Sequence, residues 1–452
     1  MEYKTEKGVK DSGAPPLKDQ DYFIKKVKLK EMVEYSKGYA FNSQWFGESG
    51  FRIVKVSDLT ADSIDTTQNN FINENILSSL RLKCQLKVGD VIITTVGSWP
   101  NNPNSQVGKV VRVPKSADGA FLNQNAVILR TNNKNTLSQE YLYYRLRNRD
   151  FGSHLLSCAQ GSANQASITL EDIFSFSFLL PKIEIQNEIS DILFNFDKKI
   201  DLNQQMNEAL ESISQTLFKH WFIDFEFPNE EGKPYKSSGG EMVNSDLGEI
   251  PKGWDVEPLG SALSLLKDGT HLPPKRVDKG IKFIAGATDV KHFFVDFSKC
   301  TYITEDEYLK IHKTWAIRPD DILLTIVGTL GNVAIVRERD LPFSMQRSLA
   351  LLRVNEKIPY SYLYFLLNSD FFKGELQKRI NPTAQPGIYL TELSKIKIIV
   401  PSKKIVDLFH SVTPSVIKLM QSRIENLDIL TDLRDSLLPK LISGKIRVPQ
   451  EE

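Results

Sequence analysis

The stretch KVGDVIITTVGS, residues 87–98, reads as a turn at Gly89 and Asp90 followed by a buried β-strand. Residues 318–329, RPDDILLTIVGT, repeat this pattern 231 positions later. The carboxylate that recurs, Asp90 in the first stretch and Asp321 in the second, is expected to form the turn before the strand. The repeat therefore predicts that this strand, and the domain around it, occurs twice.

Further matches flank the repeated strand in the same order in both halves of the chain. They are GKVVRV (108–113) with GNVAIV (331–336), FLNQNAVILR (121–130) with FSMQRSLALLR (343–353), YLYYRL (141–146) with YLYFLL (362–367), and NQASIT (164–169) with AQPGIYLT (384–391). This alignment places Gln124 against Gln346 and Gln165 against Gln385. Conserved order with variable loops indicates an internal duplication of a mixed α/β domain of about 150–180 residues.

A long helical pattern follows each copy. In the first, apolar residues at 4-3-4 spacing predict a coiled-coil seam: Ile185, Ile189, Ile192, Phe196, Met206, Leu210, Ile213 and Leu217. Lys199 and Asn203 interrupt it, either as a defect covered by Ile200 and Leu202 or as a polar position that sets pairing register. The second helix has its seam at Leu408, Val412, Val416, Leu419, Leu427, Leu430 and Leu437, and Pro414 should kink it or start it.

These patterns predict an α+β fold with two similar mixed α/β domains, separated by two long helices that pair as an antiparallel coiled coil. The internal repeat would then become a pseudo-twofold axis through the helix pair. The expected boundaries are a first domain at 1–182 with a flexible extension at 1–21, a central helix at 183–222, a linker at 223–252, a second domain at 253–402, and a C-terminal helix and tail at 403–452. Trp221 and Phe222 are expected in the core.

Composition narrows the class of protein. The chain has 452 residues, is 41% hydrophobic and carries a net charge of +1, but charge is unevenly distributed. Residues 1–180 hold 22 Lys and Arg against 18 Asp and Glu, residues 251–401 hold 21 against 17, and residues 181–250 hold 6 against 14. Two mildly basic blocks thus flank an acidic connector, which is weak support for nucleic-acid binding. No apolar run is long enough for a membrane span, and no secretory signal is evident, so a cytoplasmic location is expected.

Sequence motifs of catalysis are missing from the chain. It has no P-loop, no dinucleotide-binding glycine fingerprint and no Gly-x-Ser-x-Gly elbow. The histidines are scattered without metal-ligand spacing, and Cys84, Cys158 and Cys300 have no paired spacing. We therefore expect neither catalytic nor metal-binding residues, and no cofactor bound by this chain.

Polar loops attached to the repeated strands are candidates for reading DNA. Asn and Gln can hydrogen-bond adenine, and Arg can hydrogen-bond guanine, in the major groove. The alternative is that Asn, Gly and Pro are simply what loops contain. The candidate DNA-binding residues are Ser98, Trp99, Asn101, Asn102, Asn104, Gln106, Lys109, Gln124, Asn125, Asn164, Gln165, Lys275, Arg276, Thr329, Gln346, Arg347 and Gln385.

Several stretches resemble the specificity subunit of type I restriction–modification systems. They are GDVIITTVGS with its repeat DDILLTIVGT, LLPKIEIQNEISDIL (179–193), LFKHWFIDFEFP (217–228), LGEIPKGWDVEPLGSAL (247–263) and LRDSLLPKLISGKIRVP (433–449). With the duplication, they cover nearly the whole chain.

The resemblance implies a non-catalytic subunit with two target recognition domains, each reading one half of a split site in double-stranded DNA. The helices would dock two modification (methyltransferase) subunits, which bind S-adenosylmethionine and methylate adenine. Restriction (motor-nuclease) subunits would join and use ATP with Mg²⁺. Two other functions remain open from the residues alone: a two-headed protein scaffold, and a self-sufficient DNA methyltransferase or nuclease.

Overall fold

The structure of the chain is a computed structural model. It describes residues 22–68, 70–78, 83–99, 106–162, 165–286, 289–291, 293–380 and 386–448. The expected N-terminal extension, 1–21, lies outside these ranges. Within them, no helix combines the length and apolar character needed to cross a membrane.

The chain divides into two compact units. The first comprises residues 1–200 and 429–452, and the second comprises residues 201–428. Two 40-residue helices, Ile183–Phe222 and Lys403–Ile442, each contribute residues to both units. Each unit is described separately below.

The first unit contains two four-stranded sheets, in the orders β2-β10-β6-β8 and β3-β5-β4-β9. Its strands are β1 Phe23–Lys28, β2 Val33–Lys37, β3 Phe46–Gly47, β4 Phe51–Val54, β5 Phe71–Ile72, β6 Val91–Thr94, β7 Val96–Gly97, β8 Val110–Arg112, β9 Phe121–Leu122, β10 Ala126–Thr131, β11 Gln160–Ser162, β12 Gln165–Ser167 and β13 Ser177–Pro181. Its helices are α1 Leu29–Met32, α2 Glu74–Ser78, α3 Gln139–Arg147, α4 Arg149–Cys158, α5 Leu170–Phe174 and the first part of α6, Ile183–Phe222.

The second unit repeats this architecture, with sheets in the orders β17-β26-β23-β24 and β18-β22-β19-β25. Its strands are β14 Met242–Ser245, β15 Gly248–Pro251, β16 Asp255–Pro258, β17 Leu263–Asp268, β18 Arg276–Val277, β19 Ile281–Ile284, β20 Val290–Lys291, β21 Phe294–Val295, β22 Thr301–Ile303, β23 Ile322–Thr325, β24 Val333–Ile335, β25 Phe343–Met345, β26 Leu349–Val354 and β27 Lys397–Val400. Its helices are α7 Glu305–Ile311, α8 Tyr360–Asn368, α9 Asp370–Gln377, α10 Leu390–Ser394 and most of α11, Lys403–Ile442.

Of the two four-stranded sheets in each unit, the one with the longer strands is called the larger sheet and the other the smaller sheet. The repeated strand lies inside the larger sheet, as β6 and β23, and all of its residues are buried. Successive side chains point to opposite faces of a sheet. Accordingly, Val91 and Ile93 join one apolar cluster of the first unit and Ile92 joins another. Because both faces are covered, the first three residues of the strand are apolar in both copies, which made the repeat visible in the sequence. The predicted α+β fold with an internal duplication is confirmed.

The turn before each repeated strand is also duplicated. Asp90 accepts a hydrogen bond from the Lys87 amide at 2.8 Å, and Asp321 accepts one from the Arg318 amide at 2.7 Å. This confirms the predicted turn-forming role. Each carboxylate additionally forms two hydrogen bonds with an arginine of the neighbouring strand, an interaction that the sequence did not predict. The pairs are Asp90 with Arg130 and Asp321 with Arg353.

The backbone register corrects one detail of the alignment between the copies. The Asn123 amide donates to the Val54 carbonyl at 2.8 Å, and the Gln346 amide donates to the Ile284 carbonyl at 3.0 Å. Matching the identical glutamines shifted residues 121–124 by one position and created a gap that the structure does not have, because strand pairing rather than identity determines which residues are equivalent. The equivalent pairs are Asn123 with Gln346 and Gln124 with Arg347.

In the first unit, the beginning of α6 packs against the end of α11. Ile185, Ile189 and Leu193 share an apolar cluster with Leu438 and Leu441. Early residues of one helix therefore meet late residues of the other, which is the order expected of an antiparallel pair.

A buried charged network lies in the same region. Asp197, which is 6% exposed, accepts hydrogen bonds from Tyr144 at 2.6 Å, Arg112 at 3.1 Å and Arg434 at 2.9 Å. Arg434 also reaches Asp62 at 3.1 Å. Burial alone would lower the pKa of Arg434, but its hydrogen bonds with Asp435 and Asp197 raise that pKa above its usual value. The network thus connects both long helices to the first recognition domain.

In the second unit, the end of α6 packs against the beginning of α11 through aromatic side chains. The ring of Phe222 lies 4.9 Å from that of Tyr362 and 5.0 Å from that of Phe409, both nearly perpendicular. Phe222 is fully buried and Trp221 is partly buried against the same cluster, so both belong to the core as predicted. The order of contacts is again antiparallel.

The predicted seam of the helices is wrong in part. Ile185 and Ile189 are buried, but Met206 and Ile213 are exposed, as are Leu408, Val412 and Leu419. Polar residues, including Ser214 and Thr413, are buried instead. The heptad rule assumes that a helix buries only one apolar stripe, whereas these helices also pack against recognition domains.

Asn203 supports the interpretation that the interruption of the seam is a polar position that sets the pairing register of the helices. Asn203 is 3% exposed, and its side chain accepts a hydrogen bond from Arg423 of α11 at 3.2 Å. Of the two residues expected to cover a defect, Ile200 is buried but Leu202 is exposed. A buried amide paired with a residue of the other helix favours one pairing register, because a shift would leave the Asn203 side chain buried without its partner. Lys199 is exposed and takes no part in this contact.

Pro414 does not start the second helix. Helix α11 begins at Lys403 and continues through Pro414 to Ile442. Proline removes one backbone donor, and the buried hydroxyl of the preceding Thr413 donates to the Phe409 carbonyl at 2.9 Å. Tertiary packing of the first turns, with Val406 and Phe409 fully buried, keeps them helical.

Candidate nucleic-acid interface

In the first unit, the loop between β9 and β10 exposes Gln124 and Asn125. The Asn123 side chain accepts a hydrogen bond from the Gln124 amide at 2.9 Å. The Asn125 carbonyl accepts one from the Thr95 amide at 2.8 Å, and Asn125 has a positive φ of 70°. The loop is therefore held by backbone contacts, which leaves both amide side chains at the surface.

A three-stranded sheet, in the order β11-β12-β7, lies beside this loop. The Trp99 indole donates to the Ser162 carbonyl at 2.7 Å, and the Ser98 backbone bridges to Gln106. Gln165 is exposed on β12. The Ile168 amide donates to the Thr95 carbonyl, so this sheet and the Asn125 loop flank the same residue. The structure thus brings Ser98, Trp99, Gln106, Gln124, Asn125 and Gln165 into one connected region.

Lys109 joins that region through its backbone, which hydrogen-bonds with Thr94. Its ammonium group donates to the Leu59 carbonyl at 3.1 Å, and burial lowers the pKa of its amine. Five further candidates, Asn101, Asn102, Asn104, Asn164 and Gln385, fall outside the described residues.

In the second unit, the equivalent loop joins β25 to β26. The Thr270 amide donates to the Met345 carbonyl at 3.0 Å, and the Arg347 amide donates to the Thr270 carbonyl at 3.2 Å. Gln346 is half-buried and Arg347 is exposed. Gly269 lies so close to this loop that a Cβ atom there would come within 2.2 Å of the Met345 carbonyl. Gly38 makes the same approach to Asn123 in the first unit.

Three candidates of the second unit lie outside that loop. Thr329 is exposed just after Gly328, whose amide donates to the Pro386 carbonyl at 3.0 Å. Lys275 and Arg276 are exposed at the start of β18 in the smaller sheet. The Arg276 guanidinium lies 3.9 Å from the centre of the Phe283 ring, and burial there lowers its pKa.

The sequence did not single out a cavity of about 450 Å³ in the first unit. Lys37, Thr95, Thr169 and Glu171 line it together with Asn125. Its members come from four separate segments, so no local motif marks them. Contacts between distant segments bring them together: the Thr95 amide donates to the Asn125 carbonyl, the Gly38 amide to the Ala126 carbonyl and the Ile168 amide to the Thr95 carbonyl.

Chemically, these surfaces offer hydrogen-bond donors and acceptors. Amide side chains, hydroxyl groups and cations suit base edges and phosphate oxygens. Among the residues that the structure describes, no group of His, Cys, Asp and Glu side chains could hold a metal ion. The arrangement fits recognition of a polar surface.

Comparison with known proteins assigns the chain to a family. The model of the type I restriction modification DNA specificity domain matches residues 24–212 and 251–428, more than half of the chain. The specificity subunit of the type I restriction enzyme MjaIX from Methanocaldococcus jannaschii is 29% identical over 327 residues, which cover 70% of this chain and 71% of the relative. The HindI specificity subunit from Haemophilus influenzae is 24% identical, covering 84% of this chain and 93% of the relative.

A comparison of folds agrees with these sequence matches. The crystal structure of a type I restriction–modification S subunit from M. genitalium superimposes with a TM-score of 0.56 at 16% identity, covering 97% of this chain and all of the other. At that identity the likeness concerns the fold alone. On the two matched segments of the family model, the chain belongs to the family of type I restriction–modification DNA specificity subunits, the non-catalytic recognition component of such systems.

Proposed function

We propose that each compact unit reads one half of a bipartite sequence in double-stranded DNA. The observation that carries this proposal is the duplication of one loop on one framework. Asn123 and Gln346 occupy equivalent backbone positions, each anchored to the strand beside it and approached by a glycine. The residues that follow differ, Gln124 in one copy and Arg347 in the other. Two loops with equivalent backbones but different exposed side chains can read two different half-sites.

The candidate residues of each unit then have a shared role. Gln124, Asn125 and Gln165 would read bases in the first half-site, and Gln346 and Arg347 would read bases in the second. Hydroxyl groups such as those of Ser98 and Thr329 suit phosphate contacts. Two recognition surfaces in one chain suggest half-site centres about 10 bp apart, one helical turn of DNA.

We further propose that the long helices bind two modification (methyltransferase) subunits, and that restriction subunits join this complex. In the second unit, each helix exposes apolar residues at spacings of four and seven: Leu202, Met206 and Ile213 on α6, and Leu408, Val412 and Leu419 on α11. A regularly spaced, exposed apolar stripe on a helix is typical of a surface that another helix covers.

This docking proposal predicts that Ile213→Glu combined with Val412→Glu will prevent co-purification of the modification subunits. Ile213 is 64% exposed and Val412 is 53% exposed, so stability should change by no more than about 0.5 kcal/mol. Pull-down from cells that express the complex measures the loss. Gln204→Glu, which adds charge at an exposed position of α6 about 180° around the helix from the stripe, is the control and should retain the partners. Retention by the double variant would contradict the docking surface.

The chemistry would reside in the partners. S-adenosylmethionine would be bound by the modification subunits, and ATP with Mg²⁺ by the restriction subunits, with no cofactor on this chain. Such a complex would act on cytoplasmic DNA.

The experiment that tests the proposed function is the adenine methylome of the source cell, with and without the gene, read by single-molecule sequencing. We expect one gapped, two-part motif to lose methylation when the gene is deleted. Loss of a continuous motif would contradict the two-unit reading. An unchanged methylome in cells that express the modification subunits would contradict the proposed function as a whole.

A further inference from the structure

The smaller sheet of each unit carries a cation against an aromatic ring. In the first unit, Arg52 of β4 lies directly opposite Phe71 of β5, with its guanidinium carbon 4.8 Å from the ring centre. In the second unit, Lys282 of β19 lies opposite Tyr302 of β22, with its ammonium 4.4 Å from the centre of the Phe297 ring.

The two cations occupy equivalent positions of the duplication. Two residues before Arg52 is Gly50, where a Cβ atom would come within 2.2 Å of the Ile72 carbonyl. Two residues before Lys282 is Gly280, where the distance to the Ile303 carbonyl would be 2.3 Å. A glycine in close contact with the neighbouring strand thus precedes both cations, and a positive charge is present in both copies although the stacked ring differs.

Neither cation is held in a direct ion pair with a carboxylate among the described residues. A carboxylate near Arg52, that of Asp65, has its pKa lowered mainly by hydrogen bonds from Thr67 and less by the charge of Arg52. Arg130 and Arg353 are each paired with a buried aspartate at 2.7 Å or less. Arg52 instead donates to the Gln68 carbonyl at 2.5 Å. An aromatic face attracts a cation without cancelling its charge, so the charge remains available to an anion.

The position of the two cations beside the recognition loops indicates that the anion they would bind is a DNA phosphate. Arg52 lies two residues before Val54, whose carbonyl binds the Asn123 amide, and Lys282 lies two residues before Ile284, whose carbonyl binds the Gln346 amide. At about 3.3 Å per residue, each cation starts about 7 Å along its strand from the loop. Groups that flank a base-reading loop at this distance are placed to reach the phosphates next to the bases being read.

We propose that Arg52 and Lys282 bind DNA phosphates and so position each recognition loop on its half-site. This rests on the proposed function and adds contacts outside the loops. The competing role is purely structural, in which the side-chain stems cover the sheet. Phosphate binding differs from that role because it releases counterions and therefore sets the salt dependence of affinity.

The test is the affinity of the full chain, purified with its partner subunits, for a duplex that contains its site, measured from 50 to 200 mM salt. Each of Arg52→Gln and Lys282→Gln should make the slope of log affinity against log salt less negative by about 0.9, and the double variant by about 1.8. Arg52→Lys and Lys282→Arg keep the charge and should keep the wild-type slope. Lys252→Gln removes an exposed lysine already paired with Glu241 at 2.9 Å, and should also leave the slope unchanged.

Other outcomes would overturn the proposal. An unchanged slope in the double variant would assign both cations to the fold alone. A change in the methylated sequence would show that they read bases instead of holding phosphates. If the wild-type complex itself shows no salt-dependent binding to DNA, the proposed function fails together with this inference.

Discussion

Asp197→Ala is expected to lower the free energy of unfolding of the first unit by about 3–5 kcal/mol, the usual cost of breaking a buried ion pair. Asp197 is buried and receives hydrogen bonds from Arg112, Tyr144 and Arg434. Removing the carboxylate leaves Arg434, which is 5% exposed, with Asp62 and Asp435 as its remaining partners. Urea unfolding followed by circular dichroism measures the change.

The duplication supplies the control for this prediction. When the repeat register is continued along the helices, the second unit has Ile417 where the first has Asp197, and Ser214 where the first has Arg434. Replacing Asp197, Arg112 and Arg434 together by Ile, Met and Met should therefore recover most of the loss, since apolar residues can replace a buried charged cluster. Asp435→Asn, at a half-exposed partner, should cost less than about 1 kcal/mol. If Asp197→Ala and the triple variant lost equal free energy of unfolding, the loss would not come from the arginine charges that Asp197→Ala leaves without this carboxylate.

Phe222→Ala should destabilise the second unit by about 3–5 kcal/mol, as large-to-small substitutions in cores do. Phe222 is 1% exposed, and besides Tyr362 and Phe409 its ring contacts those of Phe218 at 5.1 Å and Trp254 at 5.9 Å. The substitution removes these contacts and leaves a cavity where α6, α11 and the recognition domain meet. Intrinsic tryptophan fluorescence during urea unfolding measures the loss, because Trp254 lies in the same cluster.

Ile213→Ala is the matched control for Phe222→Ala. It lies on the same helix but is 64% exposed, so its truncation should change stability by no more than about 0.5 kcal/mol. Phe222→Leu retains most of the apolar volume and should cost clearly less than Phe222→Ala. If Phe222→Ala were as stable as Ile213→Ala, the aromatic cluster would not hold the helices to the second recognition domain.

Much of the fold was visible in the sequence because its strongest signal, a fully buried strand after a tight turn, occurs twice. The helix seam was only partly predicted. Met206 has the spacing of a core residue, yet Asn203 is buried in its place, because Arg423 of the other helix lies opposite Asn203. Which face of a helix is buried depends on partners distant in sequence. The Asp197 network was missed for the same reason, since its members are separated by up to 372 positions.

The sequence predicted which loops carry the candidate site, but it did not predict which of their residues lie together on one surface. Gln124, Asn125 and Gln165 come together because Thr95 hydrogen-bonds on both sides. Lys109 has the chemistry of a phosphate contact, but its ammonium is bound to the Leu59 carbonyl, and spacing alone could not show this. Arg52 and Lys282 were not candidates, since a single cation in a strand carries no motif. Their common role is suggested only when the two copies are compared in three dimensions.

The most direct test of the account is an exchange of one recognition domain. Residues 253–401 are replaced by the corresponding segment of another member of the family that directs methylation to a different gapped motif, and the adenine methylome is then sequenced. The account predicts that one half of the motif changes to that of the donor, while the other half stays the same. A change in both halves, or in neither while methylation persists, would contradict the claim that each unit reads its own half-site.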